Sequence, residues 1–112
     1  MIRGVGVDAV PVARMRRALE RTPRIAERVF TAHELETSER RASRAASLAA
    51  RFAAKEACRK ALATVVPWRD VEVRSEDRVP SLRVHGHDDV FFHVSLTHTD
   101  DVAVAVVLAE ER

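Results

Sequence analysis

Residues 51–57 read RFAAKEA and lie inside a longer segment, residues 45–64, that is rich in Ala, Leu, Arg and Lys. This composition favours an α-helix, which Pro67 is expected to stop. Arg51, Lys55 and Arg59 recur at every fourth position and form a cationic row, which we call the 51–59 stripe. The stripe is interpreted either as a solvated helix face or as a phosphate-binding face beside Glu56.

A second carboxylate follows a glycine-containing strand at the start of the chain. Residues 4–8 read GVGVD, and the apolar run over residues 2–7 predicts a strand that ends next to Asp8. Taken alone, Asp8 is expected to cap the following helix, and Glu56 to pair with Lys60 one helical turn away. Taken together, Asp8 and Glu56 are compatible with Mg²⁺, which uses one or two protein carboxylates plus substrate phosphates.

An amphipathic helix is predicted between Pro11 and Pro23. Its apolar side consists of residues at helical spacing: Val12, Met15 and Leu19. Its opposite side consists of arginines: Arg14, Arg17 and Arg21. Arg24 and Arg28 continue this basic surface, and we call all five the arginine surface. Because Glu20 is the only acid on the helix, the arginines form either a solvated face or a docking surface for an acidic partner.

The remaining segments predict an α+β fold in a single domain, residues 1–112. Thr31 and Glu34 have the spacing of a capping box, so a short helix is expected there, followed by an exposed turn over residues 37–44. The last third predicts strands near residues 71–73, 82–84, 92–96 and 102–108, with turns at 75–80 and 85–89. We therefore expect a small antiparallel sheet packed with one long and two shorter helices.

Composition weakens several other function classes. The chain has 46% hydrophobic residues but no apolar run near the ~20 residues that cross a membrane. Aromatic residues make up 4% and Tyr is absent, which disfavours nucleic-acid binding by base stacking. Cys58 is the only cysteine and is expected to pack inside a helix in a cytoplasmic protein. A zinc site built from His85, His87 and His93 is disfavoured because no cysteine joins them.

Five motifs in the same order, between Ile2 and about Glu110, resemble the family of holo-acyl-carrier-protein synthases. These are the small trimeric 4′-phosphopantetheinyl transferases. Any one motif would be weak evidence, whereas the ordered set is specific. The motifs are residues 4–8 (GVGVD), 28–34 (RVFTAHE), 51–61 (RFAAKEACRKA), 70–73 (DVEV) and 93–98 (HVSLTH).

The resemblance implies transfer of 4′-phosphopantetheine from coenzyme A to a serine of an apo acyl carrier protein, with release of 3′,5′-ADP. It implies Mg²⁺ on Asp8 and Glu56, and catalytic roles for Glu56, Lys60 and His98. The coenzyme A contacts that we predict are Arg51, Lys55, Lys60, Thr64 and His98. The arginine surface is expected to dock the carrier protein, and each active site is expected to lie between subunits of a homotrimer. Glu56 acts as general base either directly or through a metal-bound water.

Three departures from the family pattern leave an alternative open. Residues 63–65 read ATV where the family has Gly-Thr-Gly, and residues 78–80 read RVP where it has Gly-Lys-Pro. Only residues 85–92 span a gap that holds a helix in the family. These differences favour the alternative of a catalytically weak homologue that binds coenzyme A or the carrier protein, whereas the retained acids, Lys60 and His98 favour a working transferase.

Overall fold

The computed structural model describes the whole chain, Met1–Arg112, and has the expected α+β architecture. The first half contains β1 (Ile2–Pro11), α1 (Val12–Arg21), α2 (Ile25–Val29), α3 (Ala32–Glu39) and α4 (Arg44–Leu62). A 3₁₀ turn (Trp68–Asp70) leads into β2 (Val71–Glu76), β3 (Val79–Val84), β4 (Val90–His98) and β5 (Val102–Glu111). The long helix and the four late strands are confirmed. The five-residue α2 is a third short helix that the sequence did not predict.

The strands form two antiparallel units, a three-stranded sheet in the order β1-β5-β4 and a β2-β3 hairpin. The two ends of the chain are therefore neighbours in one sheet, with Val7 opposite Val106. The prediction that β1 ends at Asp8 is wrong, because the strand continues to Pro11 and Asp8 lies opposite Ala105. Asp8 also does not cap α1, whose N-cap position is taken by Pro11 without a side-chain hydrogen bond.

Two glycines let β1 lie directly against α4. A Cβ atom on Gly4 would overlap with the carbonyl oxygen of Ala61, and one on Gly6 would overlap with that of Ala57. The facing side of α4 is lined by alanines with no exposed surface, including Ala53 and Ala57. Small residues on both elements thus set a short distance between strand and helix, and this contact brings Asp8 to the side of α4.

The helix α4 ends at a non-glycine residue in the left-handed conformation. Ala63 has φ 55°, and its N–H donates to the carbonyl of Lys60 at 3.2 Å. The N–H of Thr64 donates to the carbonyl of Arg59, also at 3.2 Å, which completes a Schellman-type end. Ala63 therefore adopts the backbone conformation that glycine would take without strain, at a cost of about 1 kcal/mol.

Tight turns connect the strands in the second half of the chain. Asp77 and Arg78 both have positive φ, 50° and 67°, and close the β2-β3 hairpin. Gly86, with φ 82°, turns the chain between β3 and β4, so no helix stands there, as the spacing predicted. The predicted exposed turn over residues 37–44 is partly wrong, because α3 continues to Glu39 and Ser38 is buried against Ser47. No helix has both the length and the apolar character needed to cross a membrane.

Candidate functional site

The two carboxylates that the sequence singled out meet in one cavity. Asp8 from β1 and Glu56 from α4 both line a space of about 370 Å³, although they are far apart in the chain. Its other walls are mostly apolar and come mainly from β1, α1, α2 and α4, with Arg14 as the only cation. The apolar walls and two acids suit a ligand that has an apolar part next to a charged group.

Lys60 connects α4 to β1 through Asp8, one of the residues that line this cavity. Its Nζ atom lies 3.2 Å from Oδ1 of Asp8 and donates to the carbonyl oxygen of Val7 at 2.9 Å. The expected pairing of Lys60 with Glu56 is therefore wrong, because the close approach of β1 and α4 offers Lys60 a carboxylate on the neighbouring strand. The side chain of Lys60 is 53% exposed and that of Asp8 is 21% exposed, so solvent weakens this ion pair.

The donor set of this cavity fits Mg²⁺. The chain contains no group of three or more His, Cys, Asp or Glu side chains that could enclose a metal ion. Two carboxylates on a cavity wall instead match an ion that keeps several waters and takes further oxygen ligands from substrate phosphates. Asp8 and Glu56 are thus the residues that would hold such an ion.

A second cavity, of about 410 Å³, brings together two other predicted residues, Arg51 and His98. His98 is exposed at the end of β4, and its Nδ1 lies 3.3 Å from the carbonyl oxygen of Thr99. Arg51 is buried, donates from Nη1 to the hydroxyl of Ser47 at 2.6 Å, and leaves its Nε without a partner. The cavity therefore presents a guanidinium that an anion would complement, with Asp100 as the only acid in its lining.

Arg41 also lines the second cavity, and sequence reasoning missed it. Burial lowers the pKa of Arg51, and the charge of Arg41 lowers it further. Two guanidinium groups that repel each other at one cavity are a signal for anion binding. Arg41 belongs to the segment predicted as an exposed turn, where one more charged residue carries no distinguishing pattern.

Lys55, predicted to contact coenzyme A, lies instead inside the protein. Its side chain is 0% exposed, and Nζ pairs with Oε1 of Glu34 at 2.8 Å. The same ammonium donates to the carbonyl oxygens of Trp68, at 3.0 Å, and Val71. Burial lowers the pKa of Lys55, while the Glu34 carboxylate opposes that shift. The prediction of a cofactor contact is wrong, because every donor direction of Lys55 is directed into the core.

Glu34 explains why a lysine is buried at this position. Its Oε1 accepts from the backbone N–H of Thr31 at 2.9 Å, which forms the predicted capping box of α3. Its Oε2 accepts from the N–H of Val73 at 2.8 Å. One carboxylate thus joins α3, α4 and β2, and the sequence indicated only the local part of this role.

The last member of the 51–59 stripe is also occupied within the chain. The guanidinium of Arg59 lies 3.1 Å from the ring centre of Trp68, and its Nε donates to Val66 at 2.9 Å. The interpretation of the whole stripe as a phosphate-binding face is therefore wrong, and so is the solvated alternative. Only Arg51 reaches a cavity. Thr64 is exposed just beyond α4, and its predicted contact with coenzyme A stays a prediction.

The arginine surface differs from the stripe in its exposure and in its lack of partners within the chain. All five of its side chains are exposed on α1, α2 and the short link between them: Arg14, Arg17, Arg21, Arg24 and Arg28. None of them forms an ion pair within the chain. Arg14 also lines the cavity of Asp8 and Glu56, so this basic surface reaches the candidate site.

Comparison with known proteins identifies the family. The model of the 4′-phosphopantetheinyl transferase superfamily matches residues 4–107. A holo-[acyl-carrier-protein] synthase from Streptomyces griseus is 46% identical over 98% of this chain and 99% of its own length. One from Oceanobacillus iheyensis is 37% identical over 100% of this chain and 99% of its own. The chain belongs to the 4′-phosphopantetheinyl transferase superfamily.

Solved structures of similar proteins agree with this assignment. A holo-(acyl-carrier-protein) synthase from Bacillus anthracis, solved in complex with CoA (3′,5′-ADP), is 32% identical, covers 100% of this chain and 99% of that one, and superposes with a TM-score of 0.88. The acyl carrier protein synthase from Mycobacterium tuberculosis is 34% identical over 100% of both chains, with a TM-score of 0.83. The fold of the phosphopantetheinyl transferase superfamily is thus present over the full length.

Within this phosphopantetheinyl transferase, the motifs surround the two cavities. The GVGVD segment lies in β1, RFAAKEACRKA in α4 and HVSLTH in β4. Cys58, between Glu56 and Lys60, is 0% exposed, and burial raises its pKa to about 11. Its predicted role in packing is confirmed, because a thiol that is buried and protonated is a poor nucleophile.

Proposed function

We propose that this chain transfers 4′-phosphopantetheine from coenzyme A to a serine hydroxyl of an apo acyl carrier protein and releases 3′,5′-ADP. The observation that carries the proposal is that Asp8 and Glu56, from two elements, line one cavity and that Lys60 pairs with Asp8. These three residues supply oxygen ligands and a solvent-exposed cation, as transfer of a phosphoryl group requires. The intact trio also argues against the alternative of a catalytically weak homologue.

The proposed roles follow from the chemistry of each side chain. Asp8 and Glu56 would hold Mg²⁺, which when bound neutralises charge on the pyrophosphate. Lys60 would donate to a phosphate oxygen and stabilise the charge that develops on it. Glu56 would accept the proton of the serine hydroxyl, because it is the only carboxylate at the cavity besides Asp8, which is paired with Lys60.

We further propose that the coenzyme A site is completed by a neighbouring subunit of a homotrimer. The cavity of Asp8 and Glu56 and the cavity of Arg41, Arg51 and His98 share no lining residue. Coenzyme A carries phosphates at two separated places, so one cavity from each of two subunits could bind one molecule. The cationic cavity would then take the phosphate far from the reaction.

The outer face of the three-stranded sheet supports association of subunits. Val5 is 59%, Val7 55% and Val106 41% exposed, and all three lie on neighbouring positions of β1 and β5. Strand side chains alternate between faces, and the other face of β1 is covered by α4. Contiguous exposed apolar residues of this kind mark contact surfaces between proteins.

The arginine surface is the proposed docking site for the carrier protein. Its five cations are exposed and unpaired, so they are available to an acidic partner. Arg14 lies both on this surface and at the cavity, which would lead the carrier serine to Glu56. Cys58, a single unpaired cysteine, supports the cytoplasm as the proposed compartment.

The transfer is tested by mass spectrometry of an apo carrier protein incubated with coenzyme A, Mg²⁺ and this protein. We expect the carrier to gain one phosphopantetheine group, and Asp8→Ala or Glu56→Ala to abolish the gain. Arg16→Ala, on an exposed part of α1 outside the cavity, is the control. No gain on any apo carrier protein, with coenzyme A still bound, would favour the weak homologue.

The shared site is tested by mixing two inactive variants. Asp8→Ala and His98→Ala should each be inactive as homotrimers, while subunits exchanged between them should recover part of the activity. Recovery requires that Asp8 and His98 of one site come from different chains. No recovery after proven exchange, or a monomer in sedimentation equilibrium that still transfers the group, would contradict the shared site.

A further inference from the structure

Lys60 stands in an unusual position relative to the proposed metal ligands. It lies one helical turn after Glu56 on α4, yet its ammonium contacts Asp8 and the carbonyl oxygen of Val7 on β1. The close packing at Gly6 holds the stem of Lys60 against the strand, since its Cβ lies 2.9 Å from where a Cβ of Gly6 would be. Of the two proposed metal ligands, only Asp8 forms an ion pair within the chain, and its partner is Lys60.

A divalent cation and this ammonium compete for the same carboxylate. A cation bound by Asp8 and Glu56 would lie close to Nζ of Lys60, and the two positive charges would repel each other. A pyrophosphate changes the sign of this effect, because its oxygens would accept a hydrogen bond from Lys60 and coordinate the metal at the same time. Lys60 would then leave Asp8 for a phosphate oxygen, and Asp8 would be free for the metal.

We propose that Lys60 couples metal binding to coenzyme A binding in this protein. Its ion pair with Asp8 lowers the affinity of the empty enzyme for a divalent cation, and the pyrophosphate of coenzyme A removes this penalty. The inference rests on the proposed metal site of Asp8 and Glu56. Because coupling between two ligands is reciprocal, the metal raises the affinity for coenzyme A by the same factor.

The surroundings of the two lysines of this chain support the exchange at Lys60. The Lys60 side chain is 53% exposed, and it can change partners with little loss because water replaces a broken contact. Lys55 is 0% exposed and bound to Glu34 and two carbonyl groups, so it has no comparable freedom. Exposure thus makes Lys60 the lysine that can respond to a ligand.

The coupling is measured by binding of Mn²⁺, a spectroscopic substitute for Mg²⁺, followed by the electron paramagnetic resonance signal of the free ion. Titrations of wild type and Lys60→Gln are made with and without saturating coenzyme A. In the variant we expect Mn²⁺ affinity without coenzyme A to rise about threefold, and the enhancement by coenzyme A to fall by the same factor of about three. Lys60→Arg should keep most of the coupling, and Arg16→Gln, which removes an equal charge elsewhere on the surface, should keep all of it.

The outcomes separate this inference from the function on which it rests. If Lys60→Gln weakens or leaves unchanged the Mn²⁺ affinity without coenzyme A, Lys60 merely supports the site and the inference is overturned. If Asp8→Asn leaves wild-type Mn²⁺ binding intact, the proposed metal site itself is wrong. If Asp8→Asn removes binding while Lys60→Gln retains the full enhancement by coenzyme A, the metal site stands and only the coupling fails.

Discussion

The arginine surface of α1 and α2 and the 51–59 stripe of α4 are both cationic rows, but the first is exposed and the second is occupied by contacts within the chain. The arginine surface is exposed, and none of its members forms an ion pair. In the stripe, Arg51 donates to Ser47, Lys55 pairs with Glu34, and Arg59 lies on Trp68. Similar spacing along a helix therefore does not indicate similar function.

The difference arises from the position of each helix in the fold. The helix α1 packs against its neighbours on one side, and its arginines point away from that side. The helix α4 is surrounded by β1, β5, β4, α1, α3 and β2, so most of its surface is covered. Cations on a covered helix persist only where carboxylates or carbonyl groups satisfy them. Cations on an open helix are available to other molecules.

The largest effect is expected on the free energy of unfolding when the buried ion pair of Lys55 and Glu34 is disrupted. Lys55→Met should lower the free energy of unfolding by about 3–5 kcal/mol, because Glu34 would remain as an unpaired buried charge. Arg17→Gln, the matched loss of charge on the open helix, should change it by less than about 0.5 kcal/mol. Urea denaturation measures both.

A second variant distinguishes charge from packing at this position. Lys55→Met combined with Glu34→Gln should recover part of the lost stability, since the neutral amide no longer leaves a buried charge. Equal stability of Lys55→Met and Arg17→Gln would show that the two rows do not differ as described.

The open row is tested by reversing its charge. Arg14→Glu with Arg21→Glu should weaken apparent carrier affinity about tenfold to a hundredfold, because attraction becomes repulsion, and should leave coenzyme A affinity nearly unchanged. Separate titrations of the two ligands measure this. Equal loss of both affinities would mean that these arginines support the fold or the coenzyme A site instead.

Added salt should have a smaller effect, and it should weaken the interactions of the exposed arginine surface but not those of the buried Lys55. At 0.1 M ionic strength, exposed charges are screened beyond about 10 Å, whereas a buried pair is screened much less. Raising the salt concentration should slow association of the carrier several-fold in stopped-flow experiments. The stability difference between wild type and Lys55→Met should stay the same in urea titrations at both salt concentrations, and a parallel decline would contradict the burial of that pair.

The smallest effect is expected at Cys58, which lies beside the stripe on α4. Burial raises its pKa to about 11 from a reference value of 9.0, so the folded state favours the neutral thiol. Its contribution to stability is complete below pH 9 and declines as the pH rises toward 11. A thiol reagent at pH 8 should therefore label the native protein only as fast as it opens, and rapid labelling without denaturant would show that Cys58 is accessible.

Local signals in the sequence predicted much of the fold. The spacing of Thr31 and Glu34 predicted a capping box, and the composition of residues 45–64 predicted α4. The alternation of apolar residues predicted the four late strands. The carboxylates Asp8 and Glu56 were correctly selected as neighbours only through the resemblance to a family. Residue spacing could not place them together, because β1 and α4 meet through a contact at Gly4 and Gly6 that no helical or strand period encodes.

The sequence by itself determined most of the helices and strands, though not α2, and which residue types were candidates to bind metal, phosphate or an acidic partner, since these depend on neighbours within a few residues. Only the tertiary structure decided that Lys55 serves Glu34, that Lys60 pairs with Asp8, and that Arg41 joins Arg51 and His98. The physical reason is that the partner of a charge depends on which elements pack beside it. That packing results from the burial of the whole apolar surface of the chain.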